Sequence, residues 1–458
     1  MSAEAAISRL MQIHPKGFDL SLDRVLGLLD KLGNPHLKIP PAFHIAGTNG
    51  KGSTSAFLRA ILETAGKTTH VHTSPHLVNW NERYRLGAEG GGKFVSEEIL
   101  EEAIVRCETL NKGNHITVFE IMSAVGFILF SEHPADYCIM EVGLGGRFDA
   151  TNVLQNPAAC LITPVGLDHE AYLGNTIAKI AFEKAGIIKP KAPIFVGLQD
   201  EAGLEVIERR AAEMDSPIKV ARQDFDFYEQ AGRFIYQDET GLLDLSMPRL
   251  LGEHQLANAA LAISACRHVL PDLGQEIYEE AMKQVEWPGR FERLKKGKLL
   301  EKLKEKADNS SNIWPDIWPD IWPDIWPDIW IDGGHNPQAG KAIARQISKQ
   351  FAKNKSNPPL IMIAGMLTTK EPQGFFEAFS GLVDEVITVP VNQSDAGFPP
   401  EKLAELAAST GLVTRVSQTI EQALEMATAA HGYDSHILIC GSLYLIGEVL
   451  EKNATPPG

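Results

Sequence analysis

The chain's densest chemistry lies in residues 43–56, FHIAGTNGKGSTSA. An apolar run of Phe43, Ile45 and Ala46 enters a loop in which Gly47, Gly50 and Gly52 surround Lys51, and small helix-forming residues follow. Successive backbone N–H groups, a helix N-terminus and one lysine make an anion site. Glycines let that backbone come close to phosphate. The stretch reads as a phosphate cradle of Gly47, Thr48, Asn49, Gly50, Lys51, Gly52 and Ser53, with Lys51 facing the β- and γ-phosphates of a nucleotide. One residue is unexpected. A P-loop lysine is followed at once by Ser or Thr, whose hydroxyl holds Mg²⁺. Gly52 fills that place here, so a metal needs another anchor. The plain alternative is an ordinary glycine-rich turn from strand to helix.

Polar residues at strand ends come next. In YCIMEVGLGGRFDATN, Glu141 ends a buried apolar strand just before a glycine-rich loop. Ligand sites in open parallel sheets lie at those carboxyl ends. A buried glutamate needs a partner, and Mg²⁺ or a salt bridge to Arg147 would serve. ITPVGLDHEAYLG puts Asp168 and His169 at the next such edge. Histidine is an unusual ligand for hard Mg²⁺, so metal binding and loop hydrogen bonding both stay open. TIAKIAFEKAGIIKP carries Lys179, Lys184 and Lys189 near a helix end, where complementing the helix dipole is reason enough. Farther on, IDGGHNPQAG sets Asp332 and His335 beside a strand end and a helix start. Asn258 sits on a helix in GEHQLANAALA, and Arg290 in WPGRFE falls at a hinge. An arginine there suits phosphate clamping on closure, or an interdomain salt bridge.

These residues need a scaffold, and the chain alternates short apolar runs with helical patterns. Expected strands are 43–47, 68–73, 137–142, 159–165 and 193–197, with helix-like stretches such as STSAFLRAILETAG and ITVFEIMSAVGFILFSE between several of them. That alternation predicts a mainly parallel sheet covered by helices. Residues 223–246 alternate with period two around glycine turns, which predicts a small antiparallel section; helical residues 252–285 follow. A second α/β series has expected strands at 329–334, 359–365, 385–391 and 436–441. The fold class is α/β: a P-loop-like N-terminal part, mainly parallel with a small antiparallel section, then a smaller Rossmann-like C-terminal domain. The boundary is expected just after WPGR, giving domains 1–290 and 291–458.

Bulk properties exclude several classes. A chain of 458 residues exceeds one typical core, so two or three domains are expected. The formal charge of −16 argues against general nucleic-acid binding. No apolar run reaches membrane-spanning length; the best, IMSAVGFILF, suits a buried helix. No signal peptide is evident at the N-terminus. The five cysteines, Cys107, Cys138, Cys160, Cys266 and Cys440, are scattered without a CxxC pair and read as reduced core residues of a cytosolic protein, a catalytic thiol being the lesser alternative. Residues 313–328 are IWPD four times over. Proline every fourth residue forbids a helix, leaving extended or polyproline-like states of about 3 Å per residue. Tandem duplication lengthening a linker is the preferred reading, with a Pro/Trp docking motif or a sheet cap as rival.

Taken together, these segments resemble the folylpolyglutamate synthase and dihydrofolate synthase family within the Mur ligase group. The matching runs are GTNGKGST (47–54), HTSPHLVNWNER (72–83), TVFE (117–120), EVGLGGRFDATN (141–152), GLDHEAYLG (166–174), FEKAGIIK (182–189), GEHQLANA (252–259), WPGRFE (287–292), DGGHNP (332–337) and GSLYLIGEV (441–449). The resemblance implies that Mg²⁺, one ion or two, is held by Ser74, Glu141 and His169, so Gly52 is expected. It implies a carbamylated Lys184, an anion able to organise a second ion, and a catalytic set of Lys51, Lys184 and His169. Asn258, Arg290, Asp332 and His335 match ATP contacts. Thr117, Val118, Phe119 and Glu120, with Arg147, Phe148 and Asp149, match segments near the pterin site; Arg83 and Arg24 are further substrate candidates. Gly334 stands where relatives often carry Ala, which should loosen the backbone, and Phe148 replaces a commoner Leu.

The implied reaction is ATP-dependent amide formation. A carboxylate of dihydropteroate, or of a folate's glutamate tail, attacks the γ-phosphate, and the acyl phosphate meets the amine of L-glutamate. A bifunctional, cytoplasmic, monomeric enzyme without nucleic-acid or membrane partners is expected. Another Mur-type ligase is the alternative, though HTSPHL and TVFE favour folate. A P-loop switch protein and a scaffold docking through the Trp/Pro tract are the others.

Overall fold

The computed structural model describes residues 7, 9, 21–310, 328–351 and 358–458. The IWPD tract lies outside the described residues except for Asp328, and so do the readings attached to it. Two compact units form. One holds the chain up to Arg249 with His254–Trp287; the other holds Leu250–Glu253 with Pro288–Pro457.

In the first unit the elements run α1 (Asp23–Lys31), β1 (Ala42–Ala46), α2 (Lys51–Thr64), β2 (Thr69–His72), β3 (Tyr84–Leu86), β4 (Lys93–Phe94), α3 (Glu97–Asn111), α4 (Val118–Glu132), β5 (Tyr137–Glu141) and β6 (Ala159–Ile162). They continue with α5 (Glu170–Leu173), α6 (Ile177–Ala185), β7 (Ile194–Val196), α7 (Glu201–Glu213), β8 (Ile218–Val220), β9 (Phe225–Gln230), β10 (Arg233–Asp238), β11 (Gly241–Ser246), α8 (Glu253–Val269) and α9 (Gln275–Gln284). Strand β1 is AFHIA with every residue buried, the continuous apolar run that a central parallel strand needs. It lies between β5 and β6 and is parallel to both, with Ile45 opposite Glu141 and Leu161. The sheet order is β4-β3-β2-β5-β1-β6-β7-β8. Only β3 is reversed, pairing antiparallel with β2 and β4 at one edge. The loops after β1, β2, β5 and β6 therefore leave from one edge, and these loops carry Gly47, Ser74, the Gly143–Asp149 turn and His169.

Local sequence explains the helices that matter. Helix α4 is buried from Glu120 to Phe130, as its apolar run predicts; each large side chain it buries is worth about 2 kcal/mol. Its start is fixed by Thr117, whose hydroxyl accepts Glu120 N while the Glu120 carboxylate takes Thr117 N. The helical stretch expected at 252–285 is split, because Pro271 cannot continue α8. Strands β9, β10 and β11 form the antiparallel three-stranded sheet. All five thiols are buried and unpaired. Burial pushes Cys107 and Cys160 up to about 12, far from a reactive thiolate.

The second unit contains β12 (Glu292–Arg293), α10 (Lys298–Ser310), β13 (Asp328–Asp332), α11 (Pro337–Gln350), β14 (Leu360–Ala364), α12 (Pro372–Glu377), β15 (Glu385–Thr388), α13 (Pro400–Ala408), β16 (Thr414–Val416), α14 (Ile420–His431), β17 (His436–Cys440) and α15 (Leu443–Lys452). Its sheet order is β12-β13-β17-β14-β15-β16, parallel except for β12. Strands β3, β4, β8, β12 and β16 were not expected. Each has two or three residues, too few to establish a period, and each lies outside the apolar centre of its sheet.

Candidate active site

The phosphate cradle is built by close backbone approach. Gly47 has φ +153°, and a Cβ there would lie 1.8 Å from Thr163 Oγ1, so only glycine fits. Thr48 N and Asn49 N donate to Pro164 O at 3.0 and 3.4 Å, and Thr48 Oγ1 lies 3.0 Å from both Gly166 N and Gly166 O. The loop bearing Asp168 and His169 is thereby stitched to the P-loop. Gly50, φ +91°, lies under Asn258, whose Oδ1 would be 2.4 Å from a Cβ; Asn258 is buried and donates to Gln255 Oε1. The structure thus places Asn258 against the cradle.

Gly52 has an explanation that the motif alone lacked. A Cβ there would meet three atoms of the Trp287 indole at 2.7–2.9 Å. The place of the usual serine hydroxyl is filled by a tryptophan ring. Ser53 is buried in the next position of α2.

Two lysines converge on one carbonyl. Lys51 Nζ donates to Gly47 O at 3.2 Å and to Thr48 O at 3.5 Å; Lys184 Nζ donates to Gly47 O at 2.8 Å. Burial, then the Lys51 charge, pushes Lys184 down to about 7, while Asp168 and Asp149 oppose the fall. Helix-dipole complementarity does not account for this lysine. The glycine-rich loop directs it: Arg147 N donates to Glu183 O at 2.7 Å, and a Cβ on Gly146 would meet the Glu183 and Lys184 carbonyls at 2.8 and 2.9 Å. Asn152 Nδ2 closes the grip by donating to Arg147 O and Gly186 O. Lys189 is used differently, donating to Asn152 O, while Lys179 stays outside on Asn175 Oδ1.

Of the expected metal ligands, Ser74 and Glu141 meet: Ser74 N donates to Glu141 Oε2 at 3.4 Å, and Glu141 is buried at the carboxyl end of β5. His169 has φ +53° and precedes α5; its backbone N–H donates to Asp168 Oδ1 at 2.8 Å and its ring is 41 % exposed. Among the described residues no three His, Cys, Asp or Glu side chains group closely enough to hold an ion unaided. The salt bridge considered between Glu141 and Arg147 does not form. Arg147 is drawn to Glu183 at 3.8 Å and stacks over Phe148 and Phe182.

The expected substrate segments are strongly organised. Arg24 grips Glu120 through two contacts of 3.2 Å, both side chains largely buried. Val118 and Phe119 pack against the core, and the Phe119 ring lies on Gly143, where a Cβ would be 2.3 Å away. Asp149 is buried and accepts from Gly143 N, Leu144 N, Thr151 N and Thr151 Oγ1, so it shapes the loop from within. Arg83 is buried over the Trp80 ring and donates to His76 Nδ1 at 2.9 Å; burial and that cation push His76 down to about 3. Glu82 orders this loop by accepting from Leu77, Val78 and Asn79 N–H groups.

In the second unit, Arg290, Asp332 and His335 come together around Gly333. Asp332 accepts from Phe291 N and Gly334 N, Arg290 Nη1 would lie 2.9 Å from a Cβ on Gly333, and His335 Nδ1 is 2.9 Å from Gly333 O. Gly334 stands in crowded surroundings. A Cβ there would meet Ile343 Cδ1 at 2.7 Å, so the position is tightly packed. Reading by motif missed Thr163 and Trp287, and it quoted Thr151 and Asn152 without giving them a task. A signal existed for three of them, since WPGR and DATN contain them.

Residues 45–266 match the Mur ligase middle domain and residues 326–452 match the C-terminal domain of dihydrofolate synthetase. The chain is 30 % identical to a Saccharomyces cerevisiae dihydrofolate synthetase, over 94 % of this chain and 97 % of that one. It is also 30 % identical to a Bacillus subtilis dihydrofolate synthase/folylpolyglutamate synthase, over 95 % of each. Among solved structures it resembles E. coli FolC in complex with DHPP and ADP, with TM-score 0.83, 27 % identity, and coverage of 98 % of this chain and 97 % of that one. A bifunctional folylpolyglutamate synthase/dihydrofolate synthase with Mn, AMPPNP and L-glutamate bound gives TM-score 0.81 and 27 % identity over 98 % of each chain. The chain belongs to the folylpolyglutamate synthase/dihydrofolate synthase family of Mur-type ligases.

Proposed function

We propose that this ligase joins L-glutamate to dihydropteroate and to the glutamate tail of folates, at the expense of ATP. The observation that carries the reading is the pairing of Lys51 and Lys184 on Gly47 O of the phosphate loop. Carboxylate activation by ATP gathers negative charge at that point; the Lys51 ammonium opposes it, and Lys184 stands beside it as a buried amine. The substrate carboxylate attacks the γ-phosphate to give an acyl phosphate and ADP. Lys51 and the loop N–H groups hold the transferring phosphoryl group. The glutamate amine then adds to the acyl carbon, and the tetrahedral intermediate expels phosphate. Asn258, Arg290, Asp332 and His335 are assigned to ATP, and residues 117–120, 147–149 and Arg83 to the pterin substrate. Domains 1–290 and 291–458 are taken as ATP-binding and glutamate-ligase parts.

The oxygen donors of Ser74 and Glu141, supplemented by phosphate oxygens, suit Mg²⁺, which keeps few protein ligands. Ser74, Glu141 and His169 would hold such an ion, which when bound neutralises phosphoryl charge. Lys184 is suited to carbamylation. With its pKa near 7, a large share of the amine is neutral at neutral pH. Its nitrogen can add to CO₂ and release a proton, leaving an anion. The protein is taken to be a cytoplasmic monomer. Among the described residues no helix is long and apolar enough to cross a membrane.

The test supplies ATP, Mg²⁺ and labelled L-glutamate with dihydropteroate or tetrahydrofolate. Glutamate-dependent ADP release with both substrates is expected, and neither should react with Lys51→Ala. Turnover of dihydropteroate alone would favour a single-activity enzyme, the second reading. The match of residues 326–452 to a dihydrofolate synthetase domain favours it.

A further inference from the structure

A buried polar chain without an assigned task runs behind the glycine-rich loop. His44 lies in the middle of β1, fully buried, with Nε2 2.9 Å from Thr151 Oγ1. Thr151 Oγ1 in turn donates to Asp149 Oδ1 at 2.6 Å. A carboxylate only accepts. The Thr151 hydrogen is therefore committed to Asp149, and its oxygen must accept from His44. This makes His44 the Nε2–H tautomer and leaves Nδ1 as a buried acceptor without a partner.

The chain ends on the backbone of the loop. Asp149 Oδ2 gathers Gly143 N and Leu144 N at 3.0 Å each, and Oδ1 also takes Thr151 N at 2.9 Å. On the same loop, Phe119 rests on Gly143 and Arg147 stacks on Phe148. A buried histidine with one orphan nitrogen costs stability that a leucine in β1 would not. Its presence in the central strand needs a reason other than stability, and the loop provides one.

We propose that His44 is a positioning residue which, through Thr151 and Asp149, fixes the conformation of loop 142–149 and hence the fit of the pteroate or folate substrate. The proposal rests on the folate-ligase reading above. His44→Leu removes the donor at similar volume. His44→Gln returns an N–H near the Nε2 position, whereas His44→Asn mimics only Nδ1. Thr151→Val deletes the hydroxyl at constant shape, and Thr151→Ser keeps it.

Steady-state kinetics with dihydropteroate and ATP varied separately read the outcome. Losing the His44 hydrogen bond that orients the loop should raise KM for dihydropteroate about five- to tenfold in His44→Leu and His44→Asn, and Thr151→Val, which loses that bond and the one to Asp149, should raise it at least as much. KM for ATP and kcat should stay within about twofold, the Gln and Ser variants should recover, and the Leu/Val double should be no worse than Thr151→Val alone. An unmoved KM for dihydropteroate, equal rises for both substrates, or additive effects in the double would overturn the relay. Should His44→Leu fail to fold, the Thr151 pair decides alone. A wild-type enzyme without pteroate- or folate-dependent turnover sinks the functional reading and the proposal with it; a competent wild type with unmoved variants sinks the relay only.

Discussion

Replacing Lys184 by methionine should stabilise the protein while ending its turnover. Lys184 is 4 % exposed, and burial with the Lys51 charge pushes its pKa from 10.5 to about 7. In the unfolded chain the amine keeps its ordinary value. Between those values the unfolded state holds a proton that the native state releases, so native stability rises with pH across that window. At pH 7 the lysine costs the native state about 4 kcal/mol, and at pH 9 about 2 kcal/mol. Methionine fills a similar volume and loses one hydrogen bond to Gly47 O, worth about 1 kcal/mol. Lys184→Met is therefore expected to exceed the wild type by about 3 kcal/mol at pH 7 and by about 1 kcal/mol at pH 9. Urea unfolding at both pH values, in buffer freed of CO₂, measures the gap. A gap that does not shrink with pH, or a wild type more stable at pH 7, would refute the argument that Lys184 is discharged by its surroundings.

Other outcomes follow from single contacts. Gly52→Ser restores the usual P-loop hydroxyl but drives it into the Trp287 ring, so denaturant unfolding should show a loss of about 1–3 kcal/mol, and adding Trp287→Ala should recover part of it. Glu120→Ala leaves the largely buried Arg24 without its carboxylate and α4 without half its capping box; a loss of about 3–5 kcal/mol is expected by the same assay, and Arg24→Met should cost less because Thr117 N still satisfies Glu120. Burial alone would raise Glu385, but hydrogen bonds from Arg415 and His431 outweigh it and hold the carboxyl below its usual value. Its contribution is present above pH 4.5 and is lost as pH falls through the folded value, so Glu385→Gln should flatten acid unfolding of the second unit below pH 4.5.

How much was legible depended on the length of the signal. Strand β1 and helix α4 announce themselves, because AFHIA and VFEIMSAVGFILF are apolar over a whole element. The cradle was legible because glycines at 47 and 50 have a stereochemical purpose that no other residue serves. Glu141 stood out because a carboxylate at the end of a buried strand must meet something. Other features lay beyond local pattern. Lys184 shares its helix with Lys179 and its motif with Lys189, and only the grip of Gly146, Arg147 and Asn152 turns it inward. His44 looked like one more residue of a strand. Its meaning comes from Thr151, 107 positions away.

Gly52 shows how a departure from a motif can be a consequence of packing. Arg59, two turns along α2, donates to Glu286 O at 3.2 Å, and the next residue, Trp287, lies over Gly52. Residues 286–287 therefore run along the outer face of the phosphate helix. A side chain at position 52 and an indole at position 287 exclude each other. With the indole in place, no hydroxyl can be offered from position 52. The metal proposed above would then be anchored from another loop at the same sheet edge, where the backbone of Ser74 meets the Glu141 carboxylate at 3.4 Å. On the proposal that Ser74 anchors the metal, Gly52 and Ser74 are two sides of one packing choice. It follows that Ser74→Ala should weaken Mg²⁺-dependent ADP formation strongly, with the fold intact by circular dichroism. Full activity in that variant would mean that the metal is anchored elsewhere.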